Sequence, residues 1–183
     1  MKRVVTGLNE KGQSAVIEAG PPPRVWTWTA SQASAPHFVP RSLTDEFPDL
    51  SALPPGQGFC TELWITRTTA TTVEQEDPGT SLAGVEPGVS SLECPPGVTR
   101  WNISSFGPGY RSQMHRTETI DYDIVLAGEM YLVLEAEEIR LTPGDAVFIP
   151  GLQHCWRTEA GGMFAYTMVS PFPFGSLVDG AES

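Results

Sequence analysis

The chain has 183 residues, 40% of them hydrophobic, which is enough for a real core and excludes general disorder. Eleven Lys+Arg against 22 Asp+Glu give a formal charge of −11, a balance that repels phosphate backbones and anionic lipid, so nucleic acid and membrane are not expected partners. With only 18% charged residues but 18 Gly and 17 Pro, the composition favours a β-rich, turn-rich protein over a helical one.

In chain order, residues 1–19 read as a hairpin, with Val4-Val5 and Ala15-Val16-Ile17 flanking the polar turn Asn9-Glu10-Lys11-Gly12. Pro21-Pro22-Pro23 ends it. Trp26 to Thr29 alternates large and small residues as a half-buried strand does. Residues 30–57 read mainly as loop, and Phe59 to Thr69 as a further strand. Residues 72–98 carry five acidic residues, four prolines and four glycines and read as a surface excursion. From Thr99 on, β-branched and aromatic runs are broken by turn residues every 8–12 positions, the pattern of a sandwich or barrel. No stretch has a helical period. The amino terminus turns polar too soon for a signal peptide, and no apolar run is long enough to span a bilayer, so a cytoplasmic location is the expectation. Cys60, Cys94 and Cys155 are far apart, without a CxxC spacing, and read as reduced thiols. His37 sits in the Pro/Ser-rich loop with no partner pattern and reads as a surface histidine.

Chemistry concentrates later. From His115 to Val125 the odd-numbered residues share one face under strand alternation: His115, Thr117, Thr119, Asp121, Asp123, Val125. A face that polar lines a wet cavity or binds something, because buried unpaired carboxylates are costly. Farther on, Gly144-Asp145 marks a turn, Ala146 to Ile149 a strand and Pro150-Gly151 a second turn. His154 follows, with Trp156 on the same face and Cys155 facing away. Arg111 and Gln113 share the parity of His115 and are expected to face the cavity, Arg111 as an anchor for a substrate carboxylate or enolate. Arg116 and Glu118 fall on the outer face. Trp156, Tyr166, Met130 and Phe148 are expected pocket walls. No GxSxG, phosphate-cradling glycine loop or HExxH is present.

Over residues 105–170 these features resemble the cupin superfamily. Its first motif, G-x5-HxH-x3/4-E-x6-G, is met by Gly109, His115, Thr117, Asp121 and Gly128. Its second, G-x5-PxG-x2-H-x3-N, is met by Gly144, Pro150, Gly151, His154 and Thr158. Thr117 stands in place of a histidine, Asp121 in place of Glu, Thr158 in place of Asn, and one residue is missing before His154. The resemblance implies an all-β, double-stranded β-helix (jelly-roll) barrel over residues 101–175, with residues 1–100 as a β-rich extension packed on it in one structural domain. It implies a divalent metal ion (Zn, Fe, Mn or Ni) held by His115, Asp121 and His154, since two imidazoles and a carboxylate leave positions open for a ligand. Asp121 alternatively orients His115 as an outer carboxylate. In an alternative registration His115 is the second motif histidine, and Glu118 or Gln113 becomes a further ligand. The implied activity is that of an enzyme on a small oxygenated acid or polyketide-like aromatic intermediate. Its chemistry would be lyase-type, through a metal-stabilised enolate, with Asp123 or Glu118 moving the proton and Gln113, Thr117, Trp156, Tyr166 and Met130 around the substrate. A non-haem Fe(II) oxygenase and a non-catalytic binder of small ligands are the alternatives. Small cupins also commonly form homodimers, and the exposed edge of the amino-terminal hairpin offers a physical reason.

Overall fold

The computed structural model describes residues 2–20, 24–29, 39–40, 52–68, 73–76, 94 and 96–170. His37, Pro21 to Pro23 and the acidic stretch 77–93 lie outside the described residues. Those described form strands and connections, with no α-helix among them.

The amino-terminal hairpin is present as β1 (Arg3–Leu8) and β2 (Ser14–Gly20). Its turn closes because the Asn9 side-chain oxygen accepts the backbone N–H of Lys11 at 2.9 Å and of Gln13 at 3.0 Å, the local bonding for which Asn is favoured in turns. Arg3 ties the hairpin down: its guanidinium pairs with Glu18, donates to the Leu63 carbonyl and lies 5.3 Å from the Trp64 ring centre. Val4, Leu8, Val16 and Ile17 stay exposed.

The remaining strands are β3 (Arg24–Thr29), β4 (Val39–Pro40), β5 (Gln57–Thr68), β6 (Val73–Glu76), β7 (Val98–Phe106), β8 (Ile120–Gly128), β9 (Met130–Leu134), β10 (Glu138–Leu141), β11 (Ala146–Pro150), β12 (His154–Arg157) and β13 (Gly162–Val169). One large sheet runs β11-β8-β13-β7-β5-β3-β4, with β6 on β5, and a smaller one runs β10-β9-β12. All pairs are antiparallel. The pair β8·β13 encloses the pair β9·β12 in sequence, as when one long two-stranded ribbon rolls over itself. That is the jelly-roll, and the all-β expectation holds. Two expectations change. Val73 to Glu76, read as part of a surface excursion, pairs in register with Ile65 to Thr68. The extension also joins the barrel's own sheet, so that β5 supplies the buried Cys60, Glu62 and Ile65.

Alternation sets the inside. Along β8, Asp121, Asp123 and Val125 are buried while Tyr122, Ile124 and Leu126 are exposed; β13 buries Phe164, Tyr166 and Met168 in step. The core is an aromatic and aliphatic base of Phe106, Tyr110, Trp156, Phe164, Met130, Leu132 and Leu141. Trp156 and Phe164 stack at 4.7 Å between ring centres, and Phe106 and Tyr110 meet in a tilted contact at 4.2 Å. Met130 has no accessible surface. It is packing rather than a pocket wall, which corrects its expected role. Phe148 points outward and is exposed, so it does not line the interior either. Cys60, Cys94 and Cys155 are free thiols.

The tight turn between β8 and β9 needs its glycine. Gly128 has φ +68°, and a Cβ there would stand 2.2 Å from the Gly161 carbonyl oxygen. Gly128→Ala is therefore expected to lower stability by about 3 kcal/mol, from left-handed strain plus backbone overlap. Urea denaturation of the variant measures it, and a loss near zero would mean that the two turns move apart freely.

Candidate functional site

His115 lies before β8 and His154 opens β12, and the two backbones exchange N–H···O bonds at 2.9 Å in both directions. Directly opposed residues of an antiparallel bridge put their side chains on one side, so the imidazoles face each other with ring centres 4.5 Å apart. Each ring donates Nδ1–H to a carbonyl two residues back: His115 to Gln113 at 2.8 Å and His154 to Leu152 at 2.9 Å. A carbonyl only accepts, so neutral rings carry the proton on Nδ1 and keep the Nε2 lone pair bare. Burial lowers the pKa of His154 to about 4, so that it stays a neutral base near pH 7.

The carboxylates follow on β8. The Thr119 hydroxyl donates to Asp121 Oδ1 at 2.6 Å, and because its one hydrogen is thereby used, it accepts from Thr117 at 2.9 Å. Burial raises the Asp121 pKa to about 6 against the pull of Thr119, His115 and Thr117. Asp123 is 6% exposed, and its Oδ1 has no hydrogen-bond partner among the described residues. Burial, and then the charge of Asp121, pushes it up to about 8. The folded state thus holds a proton on Asp123 that the unfolded chain releases at its ordinary 3.8. Stability from this group falls as pH rises from about 4 to about 8. Asp121 acts in the same direction up to about 6, and His154 in the opposite direction between about 4 and 6.5. Among the described residues Asp123 therefore stands alone from pH 6.5 to 8. Asp123→Asn is expected to abolish the fall of the thermal midpoint over that window in metal-free protein, gaining about 1–3 kcal/mol at its upper end.

Cross-strand register brings a second set of polar side chains onto the same inner face. Asp123 lies opposite Tyr166, Tyr166 opposite Asn102, and Asn102 opposite Glu62; one step along, Asp121, Met168 and Arg100 align. Arg100 and Glu62 pair at 2.9 Å with both side chains 2% exposed. The Tyr166 hydroxyl accepts from Ser104 and meets the Cys60 thiol, each at 3.3 Å. Burial raises the pKa of that thiol to about 11, leaving it inert. The interior is thus divided into an apolar base and a polar half.

Among the sequence-predicted residues, His115 and His154 come together, and Asp121, Asp123, Tyr166 and Trp156 share their inner face. Thr117 is half-buried and bonded to Thr119. Gln113 and Glu118 are exposed. Arg111 does not face the interior. It bridges to Arg157, which points outward over the Tyr131 ring, and it lies beside Cys155. Arg111 lies four positions from His115 where Arg157 lies three positions from His154, so a bulge breaks the parity on which its expected role as an anchor rested. Arg100, Glu62 and Asn102 were missed. Nothing local in their sequence marks them, and only strand register reveals them.

The donor set fits a divalent ion in part. Two pinned imidazoles with bare Nε2 atoms suit one, and Asp121 offers a second oxygen beyond the one bonded to Thr119. Among the described residues, however, no three His, Cys, Asp or Glu side chains stand close enough to form a complete ion site. The arrangement is a two-histidine half-site with a carboxylate set back from it.

The family model for a cupin domain matches residues 102–169. Phomopsin biosynthesis cluster protein C' of Diaporthe leptostromiformis is 42% identical over 81 residues, 44% of this chain and 41% of that protein. The cupin-domain-containing oxidoreductase srdB of Neurospora crassa is 35% identical over 96 residues, 50% of this chain and 47% of that protein. The chain spans less than half the length of the curated relatives it matches. Among solved structures, the polyketide cyclase RemF from Streptomyces resistomycificus overlaps with a TM-score of 0.42 at 19% identity, covering 62% of this chain and 65% of that one. An overlap this partial says nothing about chemistry. The motif glycines, the paired histidines, the rolled strand ribbon and the matched family model agree that residues 102–169 match a cupin domain.

Proposed function

We propose that this protein binds a divalent metal ion through His115 and His154, with Asp121 as the carboxylate that joins them, and acts on a small oxygenated molecule inside the barrel. The observation that carries the reading is the facing histidine pair, each ring held by its Nδ1–H so that both Nε2 lone pairs are left bare. When bound, the ion would supply a Lewis acid for a carbonyl or enol oxygen. The residues do the rest. Thr119 holds Asp121, and Trp156 closes the apolar side against His154. Asp123, inward-facing and with a free oxygen, is the group placed to move a proton. Lyase-type chemistry on an enolisable substrate is the reading this favours, and relatives named for biosynthesis clusters support a role in secondary metabolism. The oxidoreductase name of another relative keeps an oxygenase as the second reading.

Titration of the full chain with Zn2+, Mn2+, Ni2+ and anaerobic Fe2+, followed by calorimetry, tests the site, with one ion per chain expected. Oxygen consumption by the Fe2+-loaded protein, supplied with extracts holding its substrate, would select the oxygenase. Turnover that is the same under argon selects the lyase.

A further inference from the structure

Two buried polar atoms on the inner face have no hydrogen-bond partner among the described residues: Asp123 Oδ1 on β8 and Arg100 Nε on β7. A buried donor or acceptor left unsatisfied costs about 1–3 kcal/mol, so two in one wall call for a reason. We propose that the inner wall formed by Glu62, Arg100, Asn102, Tyr166 and Asp123 recognises an uncharged ligand group with an acceptor oxygen and a donor hydrogen, the chemistry of an amide or a hydroxy-carbonyl unit. This rests on the interior being a ligand site and names what its polar wall selects.

The atoms define the ligand by what they lack. Arg100 Nε–H is a donor and takes the ligand's oxygen. Asp123 Oδ1 takes the ligand's N–H or O–H. Strand register carries the wall from Asp123 through Tyr166 to Asn102 and Glu62, and Arg100 reaches into it, near enough for its charge to act on the Tyr166 hydroxyl and the Cys60 thiol. Neighbouring strands stand about 5 Å apart, so Asp123 and Arg100, two strands from each other, suit two groups of one small molecule rather than a single atom.

The wall selects against charge. Glu62 neutralises Arg100 at 2.9 Å, so no free positive charge attracts an anion. A cation meets the remaining guanidinium N–H, which is a donor and cannot accept. Tyr166 lies tilted against Phe164 at 5.2 Å between ring centres, which gives an aromatic ligand body an apolar neighbour.

The test uses ligand-observed NMR of the full chain with benzamide, benzoate and benzylamine. Benzamide is expected to bind, and the two ions to bind at least about tenfold more weakly, the worth of one well-made hydrogen bond to a charged group. Asp123→Leu is expected to weaken benzamide about tenfold while raising the thermal midpoint, because it removes a buried unpaired carboxyl. The same titrations on His115→Ala separate this proposal from the metal reading. Benzamide binding that survives His115→Ala but is lost in Asp123→Leu supports the wall, whether or not an ion binds. If benzamide fails to bind, if Asp123→Leu leaves it unchanged, or if benzoate binds as well in the His115→Ala chain, the wall proposal is wrong.

Discussion

Arg100→Met should cost the fold about 3–5 kcal/mol, because it removes one partner of a buried pair and leaves the Glu62 carboxylate inside the barrel without its guanidinium. Both side chains are 2% exposed, so water cannot replace the lost partner. The double variant Glu62→Leu with Arg100→Met should recover most of that loss, since an apolar pair of similar volume carries no desolvation penalty. Urea denaturation of the wild type, both single variants and the double variant closes a mutant cycle, and a coupling of at least about 2 kcal/mol is expected. A double variant no better than Arg100→Met alone would show that Arg100 supports the fold through contacts other than Glu62. The cycle bears on function too. A barrel more stable without its charged wall would show that the wall is kept for something other than stability.

His115→Ala should abolish measurable metal binding, weakening affinity by more than about 100-fold, beyond what the loss of an outer-shell partner causes. The fold should survive, because His115 is only half-buried and its bridge to β12 is made by backbone atoms. His154→Ala should lose the ion as well but also destabilise, since His154 is buried against Trp156. Asp121→Asn is expected to fall between wild type and His115→Ala, because the carboxylate stands back on Thr119. Gln113→Ala and Glu118→Gln should leave affinity unchanged, both side chains being exposed. Calorimetric titration with Zn2+ or Ni2+ reads all five. Equal affinities in wild type and His115→Ala would remove the histidine pair from the site.

Much of the architecture was legible because it is written locally. The alternation from Asp121 to Val125, the turns at Gly128 and Gly144, and the two motif frames around His115 and His154 are each fixed within a few residues. Gly144 takes a positive φ in a turn that Asp145 closes by accepting from the backbone and hydroxyl of Thr142. That turn could be read from the dipeptide Gly144-Asp145 alone. Arg111 shows the limit. Parity counting put it inside, and one bulge between two bridges put it outside. The segment Val73 to Glu76 is a second case: its composition reads as a loop, but the β5 edge offers it a ladder.

By itself the sequence determined the all-β class, the strand-and-turn rhythm after Thr99, the facing histidines and the inward run of carboxylates, since side-chain alternation and turn chemistry act between near neighbours. Only the tertiary structure decided that Glu62, Arg100 and Asn102 meet Asp123 and Tyr166 in one wall. It also decided that Met130 is packing, and that Asp121 is held by the Thr119 hydroxyl. The physical reason is register. A residue's cross-strand partner depends on where another strand, tens of residues away, settles along the ladder. The summed burial of both sheets chooses that position, and no single stretch of the chain contains it.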